Sequence, residues 1–295
     1  EIQGVVYNPT DLPQTFLWWA NVAAKVHDQY ESFFPADVTY VADHAVRATS
    51  SFPEANNFYD GVDYTKRPGA NNLAWYKNIP VPTSYMVCAT EYDFFGGYDH
   101  AAHGGFVHVA DRHIAPGKKQ WTWGNGDFGR AWDRNLTDED GPYIELMAGV
   151  YTENQPDFTW LMPYEEKTFV QYFMPYRELG IVKNANKDIL MNITEIEETD
   201  KAVLQVFATS ANRIEIKVYS DSGAELYKDY ARVWPENIFK CEIDLHGTPF
   251  SEISVSISGT TRLYWHAETD KVRNILRRER EWMRATPCAR TGKAK

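Results

Sequence analysis

The sequence predicts an all-β chain built in two bodies, and three observations carry that prediction. Apolar and polar residues alternate with period 2 in run after run, as in TFLWWANVAA, GFVHVADRHI and GPYIELMAGVY. Between residues 193 and 265, short alternating runs are separated by turn clusters such as SANR, SDSGA and WPEN. That spacing, roughly 8–12 residues, is the rhythm of a small sandwich. Aromatic residues make up 15% of the chain and their excess falls before residue 178, so the first body is the one expected to carry a ligand site.

At 295 residues the chain exceeds one typical domain. The expected division is a β domain over 1–180, an immunoglobulin-like β-sandwich over 190–266, and a helix with a basic tail over 267–295. The helix rests on Val272, Ile275 and Leu276 at helical offsets in ETDKVRNILRRERE, acidic residues first and basic ones later. The opening on Glu1 inside a strand-like run suggests a segment of a longer chain.

A net charge of −11 argues against nucleic acid or an anionic membrane surface as partner, because both need a basic face. No run approaches the roughly 18 apolar residues of a membrane span, so membrane insertion is not expected. Cys88, Cys241 and Cys288 are widely spaced and odd in number, which indicates neither a zinc site nor a disulfide framework. No cofactor is expected, and the oligomeric state and compartment are left open.

The richest stretch runs from Gly117 to Tyr176, where Trp121, Trp123, Trp132, Trp160 and several tyrosines mix with carboxylates, amides and glycines. This mixture suits carbohydrate: flat rings cover the apolar faces of a pyranose while Asp, Glu, Asn, Gln and His bond its rim of hydroxyls. Period 2 places Tyr143, Glu145 and Met147 on one strand face, with Ile144, Leu146 and Ala148 on the other. Lys119, Trp121 and Trp123 likewise share a face. Tryptophans paired in this way are also common in plain cores.

The same stretch resembles the bacterial DUF5107 family, whose members often carry tetratricopeptide repeats after the β domain. LWWANVAA, GVDYTKRP and GGFVHVADRHIAPGKK extend the resemblance upstream, so that it covers 1–176. The resemblance implies a galactose-mutarotase-like supersandwich, a fold of proteins that bind or process carbohydrate. It implies that the terminal helix leads towards such repeats.

Along the chain, Asn8, Pro9 and Asp11 to Pro13 mark a turn between two strands of an expected hairpin. In the second of these strands Trp19 shares its face with the amide of Asn21 and is expected to line a cleft, with Trp18 facing the core. The segment from Ser51 to Trp75 has no clear period and reads as a long functional loop. EYDFFGGYDHAAHGG, with Asp93, Asp99, His100 and His103, reads as a loop lining the site. His100, His103, His108 and His113 raise a metal site, but Gly104 and Gly105 oppose a helical ligand set and none is assigned.

For chemistry, Glu145 is the first carboxylate, and His108, mid-strand beside Phe106 and Ala110, is its expected partner. Asp157 leads Glu153, Asp99, Glu165 and Glu166 for the second carboxyl of a glycoside hydrolase. Trp19, Trp121, Trp123 and Tyr143 are the expected platform, and Asn21, Asp99, Asn154 and Gln155 the hydroxyl ligands. Three functions remain in play: carbohydrate processing, chiefly glycoside hydrolysis with epimerisation beside it; non-catalytic carbohydrate binding; and a protein-interaction scaffold.

Overall fold

A computed structural model describes residues 1–44, 46–155 and 157–267. The expected terminal helix lies outside the described residues. In the first body the strands are β1 (Ile2–Tyr7), β2 (Gln14–Phe16), β3 (Trp18–Lys25), β4 (Tyr30–Phe33), β5 (Tyr40–Ala42), β6 (Thr49–Ser51), β7 (Phe58–Tyr59), β8 (Val62–Asp63), β9 (Thr83–Val87), β10 (Phe94–Asp99), β11 (Gly104–Val109), β12 (Gly117–Thr122), β13 (Tyr143–Val150), β14 (Thr159–Leu161) and β15 (Glu166–Arg177). A single α-helix among the described residues, α1 (Asp127–Leu136), interrupts them after β12.

Two sheets form the first body as a sandwich, in the all-β class expected. One has the order β1-β15-β11-β10-β4 and the other β3-β13-β12-β9-β5-β6. Leu146, Ala148, Tyr85 and Val87 of the second sheet meet Phe95, Phe106 and Phe173 of the first in one core. The opposite face of the five-stranded sheet is also covered: Phe94, Tyr98, Val107, Met174 and Tyr176 pack on Leu179, Val182, Leu190 and Phe207. Aromatic crowding on that sheet requires small neighbours. A Cβ on Gly97 would lie 2.1 Å from the Tyr30 hydroxyl, and one on Gly105 would lie 2.3 Å from the Tyr176 ring.

The second body is a small sandwich of two four-stranded sheets. Its strands are β16 (Asn184–Ala185), β17 (Ile189–Ile196), β18 (Lys201–Ala208), β19 (Asn212–Ser220), β20 (Glu225–Val233), β21 (Phe239–Asp244), β22 (Ile253–Ser258) and β23 (Arg262–His266), ordered β16-β17-β18-β21 and β20-β19-β22-β23. The alternation read from the sequence is the burial pattern observed: in β19 Ile214, Ile216 and Val218 are buried while their neighbours are partly exposed.

Several local expectations are corrected. The turn at residues 8–13 does not close a hairpin: β1 pairs β15, β2 pairs β14, and β3 joins the other sheet beside β13. Asn8 explains the turn, since its Nδ2 donates to the carbonyls of Leu12, Leu161 and Met162 and ties the β2–β14 ribbon to the body. The glycine-rich segment at 91–105 is mostly the β10–β11 hairpin rather than a site loop, its glycines serving the aromatic packing above. The irregular segment at 51–75 supplies core, with Tyr59, Tyr64 and Leu73 buried. Among the described residues, no helix is long and apolar enough to cross a membrane.

Candidate functional site

The candidate site lies on the outer face of the six-stranded sheet; the five-stranded sheet is covered on both sides. Register places its residues in rows. Glu145 stands opposite Trp121 on one side and Ala23 on the other, and Trp121 stands opposite Ser84. Lys119 stands opposite Met147 and Met86. Strand parity turns all of these away from the core, while Ile144, Leu146 and Ala148 point into it. Glu145, Trp121, Ser84, Lys119 and Met147, together with His44, Trp123 and Tyr143, line a cleft of about 310 Å³.

Its polar groups are held by short links. Asn21 Nδ2 donates to Glu145 Oε2 at 3.0 Å. Lys119 Nζ lies 3.2 Å from His44 Nδ1 and donates to Gln155 Oε1 at 3.3 Å. The loop carrying His44 is itself fixed: the His44 amide donates to Ser84 Oγ at 3.1 Å, and the buried Asp43 carboxylate accepts from the Arg47 and Ala48 amides. Asn154 Nδ2 donates to the Asp43 carbonyl at 3.3 Å, which joins this loop to the one bearing Gln155. The same loop holds Val46 at φ 52, a left-handed conformation costly for a β-branched residue.

Electrostatics follow from this partial enclosure. Burial raises the Glu145 carboxyl, against the Asn21 hydrogen bond and the Lys119 charge, which both favour its ionised form. Burial lowers the Lys119 ammonium below the usual lysine value, with Glu145 acting in the other direction. His44 is lowered by burial and by the Lys119 and Arg47 charges, against Asp43, and this net lowering favours its neutral imidazole. Asp60, whose carboxyl is bonded by the Ser84 backbone, is pushed up to about 6 by burial and by Asp43.

Aromatic rings bound the cleft. Trp121 and Trp123 meet edge to face at 4.5 Å, and Trp123 Nε1 donates to the Tyr143 hydroxyl at 3.3 Å. Trp19 lies over Gly149 and Gly117, where any Cβ would come within 2.4 and 2.6 Å of its ring.

Glu145, Asn21, Trp121, Trp123, Tyr143 and Gln155 are thus gathered at one place, with Trp19 on the same face. His108 is not among them. It sits on β11 of the other sheet, fully buried between Phe95 and Phe173, with neither ring nitrogen hydrogen-bonded and its basicity pushed down to about 3 by burial and Lys118. Period 2 fixes which neighbours share its face, and that face is the inner one. Asp99 closes the β10–β11 turn through the Ala101 and Ala102 amides and pairs with His27 at 3.0 Å. Asp157 is exposed, its electrostatic influence falling on Glu153. His100 pairs with Glu31 and stacks on Trp75. No group of three or more His, Cys, Asp or Glu suited to a metal occurs among the described residues.

Lys119, His44 and Ser84 also line the cleft, beyond the residues that the sequence marks as candidates. Lys119 was detectable, since it shares a strand face with Trp121. His44 sits in a loop whose course no periodicity reveals.

Comparison with known proteins places the chain in sequence space. Residues 1–176 match a family described as a domain of unknown function, DUF5107, and residues 184–265 match the second domain of YphG-like proteins. A TPR-domain containing protein from Parabacteroides distasonis is similar at 24% identity and a TM-score of 0.46, over 59% of this chain and 27% of that one. A candidate aldose 1-epimerase from Klebsiella pneumoniae is similar at 12% identity and a TM-score of 0.40, over 60% of this chain and 42% of that one. The chain spans about a quarter of the first protein's length and less than half of the second's. The chemistry is therefore read from this chain's own residues.

Proposed function

We propose that this chain, which belongs to the DUF5107 family, processes a carbohydrate in the cleft around Glu145. One observation carries the reading: a half-buried carboxyl, a lysine amine and a neutral imidazole converge beside two indole rings in a cleft the size of one sugar ring. The rings suit a pyranose face and the amides of Asn21 and Gln155 suit its hydroxyls.

The reaction these groups support best is proton transfer at the anomeric centre. Glu145 as carboxylate accepts the proton of the anomeric hydroxyl. Lys119 donates to His44 Nδ1, leaving the imidazole's proton on Nε2. That proton passes to the ring oxygen while Lys119 reprotonates Nδ1, and the ring opens to the aldehyde. Rotation about the C1–C2 bond and reversal of the transfers then give the other anomer. A raised carboxyl and a lowered ammonium are well matched for such exchange.

Glycoside hydrolysis is the second reading, and it needs two carboxyls. Among the described residues Glu145 is the one carboxyl lining the cleft, which places hydrolysis second. A screen of free aldoses by NMR saturation exchange between anomers, run beside aryl glycosides, tests both. Anomer exchange above the spontaneous rate supports the first, and released phenol supports the second. Sugar binding with neither activity reduces the cleft to a carbohydrate-binding site, and no binding at all defeats the carbohydrate reading.

A further inference from the structure

Helix α1 is turned the wrong way round for an ordinary amphipathic helix. Phe128, Trp132 and Leu136 recur at i, i+4 and i+8 and form one stripe, yet they are 59%, 38% and 51% exposed. The face against the body carries Gly129 and Asp133 instead. The backbone approach at Gly129 is so close that a Cβ would lie 2.0 Å from the Gly124 carbonyl oxygen. Asp133 is buried with neither carboxyl oxygen hydrogen-bonded, and burial raises its carboxyl. Burying a carboxyl while exposing three large apolar side chains is unfavourable on both faces. The helix is thus held with its apolar stripe outward at a cost.

The stripe is continuous with the cleft. Trp132 stacks on Trp123 at 5.0 Å with 13° between the planes, and Phe128 lies 6.3 Å from each of these indoles. Trp123 in turn lines the cleft beside Trp121. An aromatic ladder therefore runs from the Glu145 cleft out along the exposed side of α1. A cleft of about 310 Å³ holds one sugar ring, and Trp123 is shared between that cleft and the ladder.

We infer that Phe128, Trp132 and Leu136 form a second sugar subsite, and that the ligand of the cleft is a di- or oligosaccharide whose reducing unit occupies the cleft, rather than a free monosaccharide. The inference rests on the carbohydrate reading of the cleft. Flat rings in series suit successive pyranose faces, and the stripe offers no fixed polar group, so it supplies affinity for chain length while the cleft supplies identity.

The test is titration calorimetry with mono-, di- and trisaccharides of glucose, galactose and mannose, on the wild type and on Phe128→Ala and Leu136→Ala. Both positions are exposed, so the variants keep the fold, and neither lies in the cleft. In the series that binds, the wild-type Kd is expected to fall about tenfold from mono- to disaccharide. Both variants are expected to lose that gain while keeping the monosaccharide Kd. Equal Kd values for all lengths in the wild type, or a length gain that survives both substitutions, overturns the subsite and leaves the cleft reading intact. Loss of a wild-type dimer in either variant, followed by sedimentation velocity, makes the stripe a contact between copies and overturns it equally. If no sugar binds the wild type, the cleft reading itself has failed and this inference falls with it.

Discussion

Asn21 on β3 donates its amide to Glu145 Oε2 on β13 at 3.0 Å, so the central carboxylate is oriented from the neighbouring strand. This bond favours the ionised form, and burial opposes it. Replacing Asn21 with Ala removes the favourable contribution and leaves the burial. The Glu145 carboxyl then rises further, and the acid limb of any activity carried by its carboxylate moves to higher pH. The pH dependence of turnover measures this directly; an unmoved acid limb would mean that Asn21 does not tune Glu145.

In the proposed relay Lys119 sets the other limb. Its ammonium is lowered by burial, and a neutral amine donates no proton, so activity should fall as pH rises through a value below that of a free lysine. Lys119→Arg keeps the charge but holds its proton far more tightly. Turnover in that variant should drop by about 10²-fold or more, and its alkaline limb should disappear. A variant that retains both rate and limb contradicts the relay through His44.

Trp19 needs the glycine at 149. A methyl group there would sit 2.4 Å from the indole, so Gly149→Ala must push the ring or the strand aside. A destabilisation of about 1–3 kcal/mol is expected, as for other overpacked sites. The accompanying change in intrinsic tryptophan fluorescence locates the shift at the cleft side of the sheet. Denaturant titration with fluorescence detection reads both.

His108 makes the fold sensitive to acid. Its folded-state basicity is pushed down to about 3, below the unfolded value of 6.5, so the unfolded chain binds the proton first. Stability is complete above the unfolded value and is lost as pH falls towards the folded one, by about 3 kcal/mol at pH 4. His108→Phe removes that contribution in a cavity already lined by Phe95 and Phe173. The difference in Tm between pH 7 and pH 4 should therefore be smaller in the variant than in the wild type.

Strand parity explains how much of this was legible. The alternation in YIELMAGV separates Glu145 from Ile144 and Leu146 correctly, and the same rule groups Lys119 with Trp121. For His108 parity is equally correct about its neighbours and silent about the side of the sheet. Only the pairing of β11 with β10 and β15, in a sheet covered on both faces, makes that side interior. Helix α1 was hidden because DFGRAWDRNL has glycine and charge where a helix normally presents apolar residues to its core. His44 reaches the cleft through a loop fixed by Asp43 and Ser84, and long-range bonds of that kind leave no periodic trace.

The most direct measurement is the sugar screen repeated on Glu145→Gln, with calorimetric binding and NMR anomer exchange on the same samples. The substitution keeps size and hydrogen-bonding reach while removing the base. The account predicts that the variant binds the preferred sugar within about threefold of wild type, while exchange falls by about 10²–10⁴-fold. Undiminished exchange, or phenol release from aryl glycosides, in the variant would contradict the central role given to Glu145.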